Sequence, residues 1–280
     1  MAIQLEIRDG TPDWWMSPDI WVVPGNDPTG QPGAPIAGQP AYVWAHVENH
    51  GSSVADGTRI DFWWADPSTQ ILRSTAHFIG SANADLQPGA AQDVLCLVPW
   101  AVTMVNGGHE CLIAVANHSG SSIPVPPPDD FNPPAYPEAA QRNLSVVVAQ
   151  TGIPARMLTI AAGLRTDKRV LVTAKVGGEL DEAQLRRLDL AGLKPSKAAK
   201  VEVGMGQEPM CTPEKGGLGK RELELHIPRG TKAAIHVAIR APDLAKGEYA
   251  LVRIAEQDGE DRTLGGYTFI VLSDRKGGRK

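Results

Sequence analysis

Nowhere in this chain does an apolar run approach 18 residues, so no membrane-spanning helix is expected. The opening MAIQLEIRDG lacks the basic and apolar regions of a secretory leader. The expectation is therefore a cytoplasmic protein, or one exported by a non-classical route. Lysine is absent from the first 150 residues, and aromatics make up only 5% of the chain. Cysteine occurs three times, at 96, 111 and 211, so one thiol is left over from any pairing. Catalytic signatures are missing too. There is no G-x-S-x-G nucleophile elbow and no CxxC or HExxH metal pattern. KGGLGKR at 215–221 fails as a phosphate loop, because Glu214 stands where the first glycine belongs and Arg221 where Ser or Thr must follow the lysine.

What is present is enough to fold. Hydrophobic residues are 42% and charged residues 21% of 280, a composition that builds cores rather than disorder. The length suits two ordinary domains or one large one. Twenty-nine glycines and 23 prolines point to many turns and short strands.

Charge divides the chain near residue 150. Before it, four arginines (Arg8, Arg59, Arg73, Arg142) face 15 acids, a net of -11; after it, 23 cations face 17 acids, a net of +6, restoring the overall -5. All seven tryptophans lie in the first part: Trp14, Trp15, Trp21, Trp44, Trp63, Trp64 and Trp100. Such a break implies two domains, 1–150 and 151–280. Opposite-signed halves can also attract copies of the chain head to tail.

Ile3–Ile7 and Tyr42–Glu48 alternate with a period of two, and Arg59–Ala65, Asp93–Val98 and His109–Ala116 read as further strands of the first part. Asp13–Val23 is aromatic and β-branched, but Pro18 confines it to an edge or a strand start. Pro24–Pro40 reads as a surface loop. Ile123–Pro137, with seven prolines, reads as an extended stretch outside the core. Leu144–Ala149 is expected to close the first domain. In the second part, strands are expected at Met157–Ala161, Val170–Val176, Val201–Val203, Glu222–Ile227, Ala233–Arg240, Glu248–Ala255 and Tyr267–Leu272. One helix is expected over 181–191, opened by acids and stopped by Gly192. The fold class implied is all-β, two tandem immunoglobulin-like sandwiches with one short helix in the second.

The stretches YVWAHVENHGSSVADGTRIDFWWADPS, GHECLIAVA and AQRNLSVVV resemble a strand, an N-x-G turn, a following strand and a closing strand of one family. Over residues ~15–150 the chain resembles the bacterial cell-adhesion-related immunoglobulin-like domain, the CARDB-like group. It departs from that pattern in the Pro-rich sequence ending EAAQRN and in lacking a secretion leader. KGEYALVRIAEQDGEDRTLGGYTFIVL is similar to the last two strands of many bacterial immunoglobulin-like domains. The resemblance implies a non-catalytic module for display, spacing or contact, with no inherited active-site residues.

Several residues are candidates for chemistry or contact. The tryptophans are large enough to dominate burial in the first domain and are read as core and interface ahead of a ligand platform. Trp14, Trp15 and Trp21 are nonetheless candidates for partner contact or sugar stacking, because at most one of an adjacent strand pair faces the core and the other is expected outward. Phe131 and Tyr136, in the Pro-rich stretch, are further contact candidates. If Val98 opposes His109, Cys96 opposes Cys111 and a disulfide can form; without a leader the reduced, buried state is expected. His109 and Cys111, with His46 or His77, lack a proper ligand spacing, so no metal and no cofactor are expected. Glu256, Asp258, Glu260 and Asp261 read as a solvated hairpin tip rather than a calcium loop. The basic tail at 275–280 is too short to mark a nucleic-acid site. The function expected is a structural or adhesive protein–protein contact, with protein partners or copies of itself, and without nucleic acid or membrane insertion. A carbohydrate-binding module and an enzyme with an unrecognised site are the alternatives.

Overall fold

The computed structural model describes residues 2–103, 111–149, 156–162, 168–197, 200–208, 218–228 and 231–273. His109, Cys211, the start of the KGGLGKR stretch and the basic tail lie outside them. The fold is all-β, with one α-helix among the described residues. Two compact units partition the chain. The first holds Met1–Asp66, Ile71–Asn143 and Arg186–Asp189; the second holds Pro67–Gln70, Leu144–Leu185 and Leu190–Lys280.

The first unit contains β1 (Leu5–Glu6), β2 (Ile20–Pro24), β3 (Pro40–Asn49), β4 (Ala55–Ala65), β5 (His77–Leu86), β6 (Ala91–Leu95), β7 (Trp100–Ala101), β8 (Cys111–Asn117) and β9 (Ala139–Arg142). β3 is the axis of one sheet, with β1 and β2 along one side and β6 and β7 along the other, all antiparallel. The second sheet runs β5-β4-β8-β9. Alternation in β3 does the sorting: Ala41, Val43, Ala45 and Val47 are buried, while Tyr42, Trp44, His46 and Glu48 are half-buried on the opposite face. The buried set packs with Ile60, Phe62, Leu112 and Ala114 of the second sheet in one core cluster, so the two sheets form a sandwich.

β8 is buried at every position, on both faces. The reason lies in the Pro-rich stretch, which corrects the expectation that it stays outside the core. Ile123, Phe131 and Pro133 are buried. The stretch is tied down at several points. The Arg73 Nε donates to the Pro127 carbonyl at 3.0 Å, and the Ser74 amide and hydroxyl donate to Asp129 at 2.7 and 3.0 Å. The Ser122 hydroxyl donates to both oxygens of buried Glu138, at 2.7 and 2.8 Å. Proline fixes the backbone but does not keep neighbouring apolar side chains in water.

The second unit contains β10 (Leu144–Ala149), β11 (Arg156–Ala162), β12 (Lys168–Val176), β13 (Lys194–Pro195), β14 (Glu202–Gly206), β15 (Glu222–Ile227), β16 (Ala233–Arg240), β17 (Glu248–Gln257) and β18 (Thr263–Ser273). One sheet runs β10-β18-β17-β12-β15 with β13 on β17; the other runs β11-β16-β14. Leu144–Ala149, expected to close the first half, instead pairs parallel with Thr268–Ser273 of β18. An apolar run such as LSVVV suits a strand buried on both faces, and the run itself does not say which sheet takes it. Glu256, expected at an exposed hairpin tip, is fully buried and accepts a hydrogen bond from the Thr69 hydroxyl. Asp258 does turn the hairpin: its carboxylate accepts from the Glu260 and Arg262 amides at 2.9 and 3.0 Å.

Helix α1 spans Glu182–Arg187, shorter than expected. Asp181 and Gln184 form a reciprocal cap at its start: the Gln184 amide donates to Asp181 Oδ1 at 2.7 Å, and the Asp181 amide to Gln184 Oε1 at 3.1 Å. Asp189, not Gly192, ends it. Asp189 takes φ +57°, its amide donates to the Arg186 carbonyl, and the Leu190 amide donates to that of Leu185. These are the two bonds of a Schellman end. Aspartate tolerates the left-handed region well enough to stop the helix before the glycine.

Candidate functional site

The tryptophans are not where a contact platform needs them. Trp14 and Trp15 are both buried, their rings edge-on with centroids 5.9 Å apart, which corrects the expectation that one faces outward. They lie in a turn ahead of β2, where the alternation of a strand does not apply. Trp21 is buried as well. It stacks on Trp44, at 5.8 Å and 10°, and the Arg187 guanidinium lies 4.2 Å from its ring centroid. Phe131 is buried against Trp63, and Tyr136 is half-buried beyond the turn at Pro133–Ala135.

Beside Trp21, Asp19 is 1% exposed and fully committed. Arg8 reaches it with two guanidinium bonds, 2.8 Å to Oδ2 and 2.7 Å to Oδ1, and Arg187 with a third at 3.0 Å to Oδ1. Burial opposes the ionised carboxyl. The bonds and charge of Arg8, with the bond from Arg187, outweigh it and hold Asp19 below the usual carboxylate range. A carboxylate this engaged is a structural anion. Asp61 behaves the opposite way: burial pushes its carboxyl up, against the pull of Arg59 and Ser81.

Cys96 and Cys111 are both buried, and no disulfide joins them. Cys111 lies on β8, opposite Ala65 of β4, whereas the Cys96 amide donates to Val43 of β3. The two belong to opposite sheets, so the pairing register expected for them does not exist. Burial raises the Cys96 thiol pKa, offset by its bond to the Val98 carbonyl. His46 Nδ1 lies 2.6 Å from a carboxylate oxygen of Asp93, and His77 stacks on Trp64 at 4.2 Å. Among the described residues no group of three or more His, Cys, Asp or Glu side chains is arranged to hold a metal.

One further surface stands apart, and no sequence motif marks it. β5 is the outer strand of its sheet; among the described residues it pairs only with β4, leaving its other backbone edge open. Phe78 on that strand is 52% exposed although its ring meets Trp63 edge-on at 5.6 Å. Leu97 and Val98 are 73% and 47% exposed. Val98 lies against Gly80 of β5, where an added Cβ would sit 2.8 Å from Val98 Cγ2. Exposed apolar side chains thus flank the open strand on its two faces, Phe78 on the face it shares with Trp63 and Val98 on the face where it meets Gly80. β5 reads HFIGSANADL: small, neutral residues with a register irregularity at Ile79 and no clean alternation. That composition hides it, and the absence of charge between His77 and Asp85 is the available signal.

No family model matches the chain, and no curated protein matches it. Among solved structures, the CupB6 tip adhesin from Pseudomonas aeruginosa aligns over 98% of this chain and 99% of its own, with 10% identity and a TM-score of 0.25. A single-substitution mutant of the CFA/I enterotoxigenic E. coli adhesin CfaE aligns over 99% and 92%, with 6% identity and a TM-score of 0.27. A red sea bream transglutaminase aligns over 92% of this chain, which spans only 32% of that protein, with 8% identity and a TM-score of 0.22. Scores this low establish no shared topology. No helix among the described residues is long and apolar enough to cross a membrane.

Proposed function

We propose that this chain is a non-catalytic structural or adhesive protein that works by protein–protein contact, with other proteins or with copies of itself. The observation that carries this reading is the open edge of β5, flanked on its faces by the exposed side chains of Phe78 and Val98. An unpaired strand edge with exposed apolar side chains beside it is a template for contact with another chain. The opposed charges of the two halves, -11 and +6, supply a second, longer-ranged attraction between copies. The CARDB-like likeness of residues ~15–150 belongs to the same proposal, supported by the quoted strand and turn stretches. A carbohydrate platform would need exposed tryptophans, and Trp14, Trp15 and Trp21 are buried.

Sizing the purified protein from low to high salt tests the reading. Association between opposed charges fades as salt rises, whereas apolar contact persists. Retention on a panel of immobilised proteins, including the protein itself, should fall for Phe78→Ser with Leu97→Ser. A strict monomer at every salt level, together with retention that the double substitution leaves unchanged, overturns the reading.

A further inference from the structure

We propose that β5 is a homotypic seam: β5 of a second copy adds to it antiparallel, across a two-fold axis, and joins two four-stranded sheets into one. This rests on the contact role proposed above and names the partner of that surface. An open strand edge presents a row of amide and carbonyl groups whose natural complement is another strand. Proteins that must stay apart guard such edges with lysine, proline, outward charge or a bulge, and β5 carries only a single irregularity, at Ile79 near one end. β15, the outer strand of the large sheet in the second unit, is guarded in this way, with Glu222, Glu224 and His226 all exposed. β5 has neither lysine nor proline, and Phe78–Ala84 contains no charge.

The occupant follows from the ends of the strand. A two-fold axis through Ser81 sets residue i of one copy beside residue 162 minus i of the other. The His77 end of each copy then lies beside the Asp85 end of its mate, and the neutral Phe78–Ala84 segments face each other without like charges. A C2 contact needs such a self-complementary strip, and every copy carries it. Val98, against Gly80, with its exposed neighbour Leu97, provides an apolar rim on which the seam can close.

Sedimentation equilibrium of the full chain, in low and high salt, tests the seam with two variants. The wild type should form a dimer that survives high salt. Asn83→Lys, at an exposed position, should weaken it about tenfold or more, while Asn83→Gln should leave it intact. Ser81→Cys in a Cys211→Ser background should cross-link into a covalent dimer on oxidation, since directly opposed Cβ atoms lie about 5 Å apart. A wild type that stays monomeric at about 200 µM, or a dimer indifferent to Asn83→Lys that gives no cross-link at Ser81→Cys, overturns the seam. Association that appears only at low salt and ignores both variants also overturns it, while leaving the broader contact reading standing. Circular dichroism of each variant separates lost pairing from lost folding.

Discussion

The Phe131 ring meets the Trp63 indole edge-on, with centroids 5.2 Å apart and planes 60° apart. Trp63 projects from β4 on the side away from the core, and Phe131 comes from the Pro-rich stretch that covers that side. The stretch is therefore a third layer on one sheet of the first unit. Phe131→Ala should cost about 3–5 kcal/mol, the range for deleting a buried phenyl ring. Urea unfolding followed by tryptophan emission measures it, and the native spectrum should shift to the red as Trp63 gains water. A loss below about 1 kcal/mol would show that the stretch merely lies on the sheet.

Asp19 gives the first unit an acid limit whose sign can be worked out. Its folded pKa lies below the ordinary aspartate value of about 3.9, after Arg8 and Arg187 overcome the penalty of burial. A depressed carboxyl adds stability that is fully present above the unfolded pKa and disappears as pH falls through the folded one. Asp19→Asn should cost about 3 kcal/mol at neutral pH, because it strips the shared anion from two arginines. Below about pH 4 the gap between wild type and variant should narrow. Urea midpoints measured from neutral pH down to about pH 2.5 check this, and parallel curves would refute it.

These two residues show where the chain is legible and where it is not. The strands with clean alternation, β3 and β15 above all, lie where a period of two puts them, because one face of each is buried and the other is not. The fold class is visible in that repetition. β5 is not, since Gly80, Ser81, Ala82 and Ala84 carry too little apolar volume to make a pattern and pair mainly through their backbone. The cover over β4 and β8 is hidden for a different reason. Proline content describes how a backbone runs, whereas the burial of Phe131 depends on an indole far back in the chain. The Trp14–Trp15 pair fails as a surface because a turn, not a strand, carries it. The partner of Asp19 at Arg187 lies 168 positions away, beyond any local motif.

Gly265 makes a long-range contact of the same kind testable by one methyl group. Residues 67–70 belong to the second unit, where Ser68, Thr69 and Gln70 are all buried and the Thr69 hydroxyl donates to Glu256. A Cβ on Gly265 of β18 would collide with the Thr69 carbonyl oxygen, a backbone atom that cannot swing aside. Gly265→Ala should therefore cost more than about 2 kcal/mol, as overpacking against backbone does. Gly259, in the turn before β18, has nothing within 4 Å of its would-be Cβ and serves as the control. Gly259→Ala should stay within about 0.5 kcal/mol of wild type, as open surface positions do. Chemical denaturation compares the two, and limited proteolysis should find new cleavage near residues 67–70 only in Gly265→Ala. Equal stabilities for both variants would mean that the 67–70 segment is not fixed against β18.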